Sequence, residues 1–160
     1  MSTNIKRLKR VVRVNSFYPN VENSALEFKA GMNGLDTTGM ASDEFYPLVS
    51  RWRTSLTSRR WRLGVNNGVL QVIPSGSVLL DYPNFLTEYP NQKVDVGVVF
   101  NADDSVDIMI NGAIAISFTN QTRPTAASTF CQVGALSNLN SGIPNILFNN
   151  IKFDSISMMM

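Results

Sequence analysis

The residue types that run most enzymes are scarce in this chain. It has 160 residues, no histidine and one cysteine, Cys131. A histidine general base, a Ser-His-Asp or Cys-His nucleophile and a histidine metal ligand are therefore excluded. One cysteine also excludes an internal disulfide framework and a cysteine-rich zinc site. The glutamates are Glu22, Glu27, Glu44 and Glu88. Glycoside hydrolysis needs two carboxyl groups about 5–10 Å apart across one bond, and no such pair can be assembled from these positions. Asp43 and Glu44 are adjacent, so in an extended chain they point to opposite faces. Asp103, Asp104 and Asp107 offer the oxygen donors that calcium takes. Asp-Asp between strands is also ordinary turn chemistry. The expectation is a chain that is not an enzyme, with no metal and no cofactor.

Three groups of residues remain that suit recognition. Lys6, Arg7, Lys9 and Arg10 form a basic start. Arg51, Arg53, Arg60 and Arg62 flank two tryptophans. Tyr82, Phe85 and Tyr89 sit in an aromatic loop over residues 81–91, able to stack on sugar rings, to anchor a protein or to fold over an edge of the domain. The net charge of +2 conceals their asymmetry. Residues 1–62 hold 11 Lys and Arg against 5 Asp and Glu, and residues 63–160 hold 3 against 7. A bipolar chain can meet an acidic neighbour through its basic end.

The elements that must position these groups are strands. Helical periodicity is missing, and Asn, Gly, Ser and Pro punctuate the chain at strand-length intervals. Strands are expected around Val12 and Val14, around Leu26 and Phe28, over Leu48–Arg53, Arg59–Val65, Val69–Ile73, Val78–Leu80 and Val94–Phe100. Others follow over Val106–Met109, Ala113–Phe118, Cys131–Leu136 and Ile146–Ser155. Roughly ten to twelve short strands without helices predict an all-β antiparallel sandwich. Residues 1–10 read as a basic arm and residues 11–160 as one sandwich domain. No apolar run approaches the roughly 18 residues of a membrane span. The basic start lacks the apolar stretch and cleavage site of a signal peptide.

Two register arguments place side chains. Asn111-Gly112 joins two strands. A three-residue loop over 110–112 pairs Ile108 with Ile114 and Val106 with Ile116, which puts all the aliphatic side chains on one face. A four-residue loop over 54–57 pairs Arg53 with Ser58 and Arg51 with Arg60. Trp52 and Trp61 then share the buried face, and the four arginines crowd the other. Like charges across a sheet destabilise it, and such a cluster is tolerated more easily when an acidic patch on a partner subunit, an acidic glycan or phosphate neutralises it. The other outcome is that the guanidinium stems splay over apolar surface. Cys131 is expected in the core.

The stretches Leu48-Val49-Ser50-Arg51-Trp52, Arg60-Trp61-Arg62-Leu63-Gly64-Val65-Asn66-Asn67-Gly68-Val69-Leu70, Val94–Phe100, Val106–Gly112 and Leu147–Phe153 occur in that order. Together they resemble the concanavalin A-like lectin/glucanase superfamily in its laminin-G-like form. The resemblance spans about residues 45–155 and implies a jelly roll of two antiparallel sheets. The glutamates that its glycanases space around an aspartate on one strand are absent. Such modules are frequent on bacteriophage tails and capsids. The resemblance thus implies a virion surface protein, a capsid decoration or tail component assembled in the host cytoplasm. It would dock on coat or tail subunits through its arm and arginine face, as a homo-oligomer. The alternative is a stand-alone carbohydrate-binding module that holds a host-surface glycan. Nucleic acid binding is not expected, because the basic residues lack interleaved aromatics.

Overall fold

The computed structural model describes residues 14–15, 27–52, 59–74, 78–121, 130–138, 145–148 and 151–159. Its strands are β1 (Val14–Asn15), β2 (Phe28–Asp36), β3 (Phe45–Trp52), β4 (Arg59–Asn66), β5 (Val69–Ile73) and β6 (Leu80–Tyr82). They continue with β7 (Lys93–Phe100), β8 (Val106–Ile110), β9 (Ala113–Phe118), β10 (Phe130–Val133), β11 (Ala135–Asn138), β12 (Asn145–Phe148) and β13 (Ser155–Met159). A six-stranded sheet runs β1-β10-β3-β4-β5-β6, a five-stranded sheet β13-β2-β7-β8-β9, and β11 pairs with β12. Neighbouring strands are antiparallel, and the two large sheets form the expected all-β sandwich. The basic arm, with Lys6, Arg7, Lys9 and Arg10, lies outside the described residues.

Alternation fills the space between the sheets. Trp61, Leu63 and Val65 of β4 face Met32, Val96, Val98, Phe100 and Ile108 of the other sheet in one buried cluster. At its centre Phe28 and Phe100 lie 5.7 and 5.9 Å from Trp61, and 6.0 Å from each other. Burying side chains of this size stabilises by about 1.5–3 kcal/mol each.

Several boundaries differ from the sequence expectation. β2 runs on from Phe28 to Asp36, through Gly31, Asn33 and Gly34, residues that read as punctuation. Gly34 has φ +65° at the irregularity between Met32 and Leu35. Cys131–Leu136 is two strands, β10 and β11, split at Gly134 with φ +69°. The expected closing strand over Ile146–Ser155 is likewise two, β12 and β13. One short helix, α1 (Phe85–Glu88), occupies the aromatic loop where none was expected.

Both predicted registers are corrected. β8 and β9 join by a two-residue turn that pairs Ile110 with Ala113, with Asn111 at φ +51° and Gly112 at +78°. Positive φ at both central residues suits the right-handed twist of a hairpin. Asn111 is held by Asp95: its Oδ1 accepts from the Asp95 amide, and its own amide donates to the Asp95 carbonyl. The extra residue sits inside β9, at Ala115, between the pairs Met109–Ile114 and Ile108–Ile116. Ile116 and Phe118 still reach the core, as the aliphatic pattern required. Ile114 is turned out and is 58% exposed.

In β3 and β4 the pairing is Arg51 with Trp61 and Trp52 with Arg59, not Arg51 with Arg60. Irregularities between Pro47 and Val49 and between Arg51 and Trp52 shift the register. Pro47 has no amide hydrogen to give the ladder, which makes it a natural place for the break.

The pair Gly31–Gly97 brings β2 and β7 together without side chains. A Cβ on Gly31 would lie 2.9 Å from the Val96 carbonyl oxygen, a backbone atom that cannot swing aside. Gly31→Ala is expected to lower the unfolding free energy by about 1–3 kcal/mol, read as an earlier urea midpoint at unchanged slope.

Candidate functional site

The outward-facing residues of the six-stranded sheet follow from the phase of β4. With Trp61, Leu63 and Val65 inward, Arg62, Gly64 and Asn66 point outward. Cross-strand pairing adds Ser50 and Phe45 from β3, Gln71 and Ile73 from β5, and Asp81 from β6. A row of polar and aromatic groups thus crosses four strands.

The row is tied together by specific contacts. The Arg62 guanidinium carbon lies 4.5 Å from the centre of the Phe45 ring, a cation–π contact. Arg62 Nη2 donates to Gln71 Oε1 at 3.2 Å. Gln71 Nε2 donates to Asp81 Oδ1 at 2.9 Å. Gln71 is buried, so both ends of its amide need partners, and these two contacts supply them. Gly64 makes room for the ring, because a Cβ there would sit 3.0 Å from Phe45 Cε1. Phe45, Arg62, Asn66 and Asp81 are half-buried, so each keeps part of its surface toward solvent. The result is a planar cation held over an aromatic ring, beside an amide and a carboxylate, all on rigid strands. Such a surface can stack on an apolar ring face and hydrogen-bond to hydroxyl or carboxylate groups.

Of the expected arginine cluster, Arg62 belongs to this row. Its cross-strand neighbours are Ser50 and Ile73, not other arginines. Arg51 is paired with Trp61 and not with Arg60. Arg53 lies outside the described residues. The register thus corrects the expected pairing of Arg51 with Arg60.

The aromatic loop takes the role of a cover for the sandwich edge. Phe85 is fully buried and joins the core cluster, so it cannot be a contact residue for a partner. Tyr89 packs on it with ring centres 5.7 Å apart. Thr37 Oγ1 anchors the loop by donating to the Tyr89 carbonyl at 2.6 Å. Tyr82 is half-buried, and its hydroxyl donates to Glu88 Oε2. That bond, more than burial, pushes the Tyr82 phenol up to about 12.

The acidic turn is likewise closed on itself. Asp103 Oδ1 accepts from the Ser105 amide and hydroxyl, which hold its carboxyl below the usual range. Asp107 accepts from Asn101 Nδ2 at 2.8 Å and from Ser117 Oγ at 2.6 Å. Among the described residues no group of three metal-ligating side chains comes together.

Phe45, Gln71 and Asp81 were missed from the sequence. Gln71 did carry a signal: it is the one polar residue in the strand Val69-Leu70-Gln71-Val72-Ile73. Phe45 and Asp81 become visible only once the pairing is known.

Phe85→Ala is expected to destabilise the fold by about 3–5 kcal/mol, which calorimetry or urea unfolding would register. For Tyr82, the raised pKa favours the neutral phenol in the folded state. Its contribution to stability is complete below the ordinary value near 10 and is lost as pH rises through about 12. In Glu88→Gln the Tyr82 absorbance titration should move down toward the ordinary tyrosine value.

No family profile and no curated protein matches the chain. Solved structures do. The CBM40 of a Ruminococcus gnavus IT-sialidase, bound to alpha2,3 sialyllactose, superposes with a TM-score of 0.63 at 12% identity, over 94% of this chain and 89% of its own. The Caenorhabditis elegans galectin LEC-6 gives 0.57 at 11% identity, over 95% and 92%. A structure tying cell entry of botulinum neurotoxin type C to two ganglioside molecules gives 0.56 at 13% identity, over 77% and 31%. The chain spans about a third of the length of the botulinum structures it matches. At these identities the likeness is one of fold: this chain carries an antiparallel two-sheet β-sandwich like those of the galectin and the CBM40.

Proposed function

We propose that this chain is a non-catalytic glycan-binding module that reads sugars with the outer face of its six-stranded sheet. The observation that carries the proposal is the fixed Arg62 guanidinium, stacked on Phe45 and tied through Gln71 to Asp81. Sugar recognition needs an aromatic surface for the ring and oriented polar groups for the hydroxyls. It also gains from groups that are ordered before the ligand arrives, because little entropy is then lost on binding. The row on β3–β6 meets these needs. The neighbours in fold support the reading, since the CBM40 was solved with sialyllactose and the botulinum type C structure concerns gangliosides.

The virion role read from the sequence rests on the basic arm, outside the described residues, and on an arginine face whose Arg53 also lies outside them. It remains an expectation, and the glycan proposal does not depend on it.

A glycan array spanning neutral and acidic sugars, followed by calorimetry on the strongest hit, tests the proposal. Arg62→Ala and Phe45→Ala should each weaken binding by about tenfold or more. Lys29→Ala, on the other sheet, should leave it unchanged, and the glycan should be recovered uncleaved. No retained glycan, or equal binding by Arg62→Ala and the parent chain, refutes it.

A further inference from the structure

The chain contains three Asn-Gly steps: Asn33-Gly34, Asn67-Gly68 and Asn111-Gly112. Asparagine is a thermolabile residue, and it is most labile before glycine, which leaves its own backbone nitrogen unshielded. That nitrogen attacks the asparagine Cγ, and a five-membered succinimide closes as ammonia leaves with the proton of the nitrogen. Water then opens the ring at either carbonyl, giving aspartate or isoaspartate. No oxidant or cofactor enters. The step needs a side chain free to swing and a glycine nitrogen that is not tied to an acceptor.

Two of the three steps are held by Asp95. Its Oδ1 accepts from the Gly34 amide at 2.8 Å, so the nitrogen that would attack Asn33 is engaged. Asn33 Nδ2 also donates to Ser155 Oγ at 3.1 Å, and the Asn33 carbonyl accepts from the Asp154 amide at 2.9 Å. The Asp95 amide donates to Asn111 Oδ1 at 3.0 Å, and the Asp95 carbonyl accepts from the Asn111 amide at 2.8 Å. The Asn111 side chain must leave this clasp before its Cγ can meet the Gly112 nitrogen.

Asn67-Gly68 is the two-residue turn between β4 and β5, with φ +50° and +80°. It belongs to the other sheet, away from Asp95. Its backbone is anchored. The Asn67 amide donates to the Glu44 carbonyl at 2.9 Å, and the Gly68 carbonyl accepts from the Leu86 amide at 3.1 Å. The reacting groups are not anchored. The Asn67 side chain is exposed and has no hydrogen-bond partner among the described residues, and neither has the Gly68 nitrogen. We propose that Asn67 is the site at which the folded chain deamidates, by attack of the Gly68 nitrogen. A turn with positive φ at both residues does not align the two groups, so the reaction proceeds through brief local openings and is slow. At Asn111 the same opening must also break a side-chain bond, and at Asn33 the attacking nitrogen must first leave a carboxylate. Either product puts a negative charge beside Asn66, and isoaspartate adds a carbon to the backbone between β4 and β5. The inference does not rest on the glycan reading.

Peptide mapping by mass spectrometry tests the proposal, on the full chain aged at mildly alkaline pH in buffer and, in parallel, unfolded in urea. In buffer, aspartate and isoaspartate should accumulate at Asn67 about fivefold or more faster than at Asn33 or Asn111, the factor that one retained hydrogen bond gives. In urea the three steps should react at similar rates, which assigns the selectivity to the fold. Asn67→Gln should remove the early product, because its side chain would have to close a less favourable six-membered ring. Faster reaction at Asn33 or Asn111 in buffer, equal reaction at all three, or the same ranking in urea as in buffer overturns the proposal.

Discussion

The inward phase of Trp61 is the constraint on which the rest of the structure depends. Its indole is fully buried between the sheets, edge-on to Phe28 and beside Phe100. Aromatic pairs of this geometry add about 0.5–1.5 kcal/mol beyond their burial. The indole Nε1 has no hydrogen-bond partner among the described residues. An orphaned donor costs about 1–3 kcal/mol, comparable with what one ring contact returns. The site is retained because sliding β4 by one residue would put the whole ring, with Leu63 and Val65, into water. Trp61 therefore fixes the opposite face as well: Arg62, Gly64 and Asn66 must point out.

That outer face is ordered by a different kind of force. No cross-strand pair on it is apolar against apolar along the Phe45–Asp81 row. Arg62 is held by a ring on one side and an amide on the other, and the amide is held by a carboxylate. Gln71 is the joint. Buried and bonded at both ends, it transmits the position of Asp81 on β6 to Arg62 on β4. The aromatic loop contributes from the flank, where α1 buries Phe85 and closes the sandwich beside β5.

How much of this was legible in the sequence depended on how local the signal was. The alternation of Val94, Val96, Val98 and Phe100 identified β7, and Trp61, Leu63 and Val65 identified the inner face of β4. Both are facts of period two. The resemblance also led to the observed fold. The registers were not legible to the residue. Asn111-Gly112 announced a turn, but whether the extra residue sat in the turn or at Ala115 was decided by the bonds between Asn111 and Asp95, across a different strand pair. The β3–β4 pairing shifts by one residue after Pro47, so Arg51 meets Trp61 in place of Arg60. Arg62 was found by type. Phe45, Gln71 and Asp81 were not, because they come from three strands and meet only through pairing. Phe85 was misplaced because an aromatic in a loop looks the same whether it faces a partner or its own core.

The central claim is that the outer face of the six-stranded sheet holds a sugar. An amide NMR titration with a glycan that the protein retains tests it directly, because it locates contact without relying on a substitution. The shifts should centre on residues 45, 62, 66, 71 and 81. Shifts centred instead on Gly31 and Gly97, on the outside of the other sheet, or on the loop from Tyr82 to Tyr89, would contradict it.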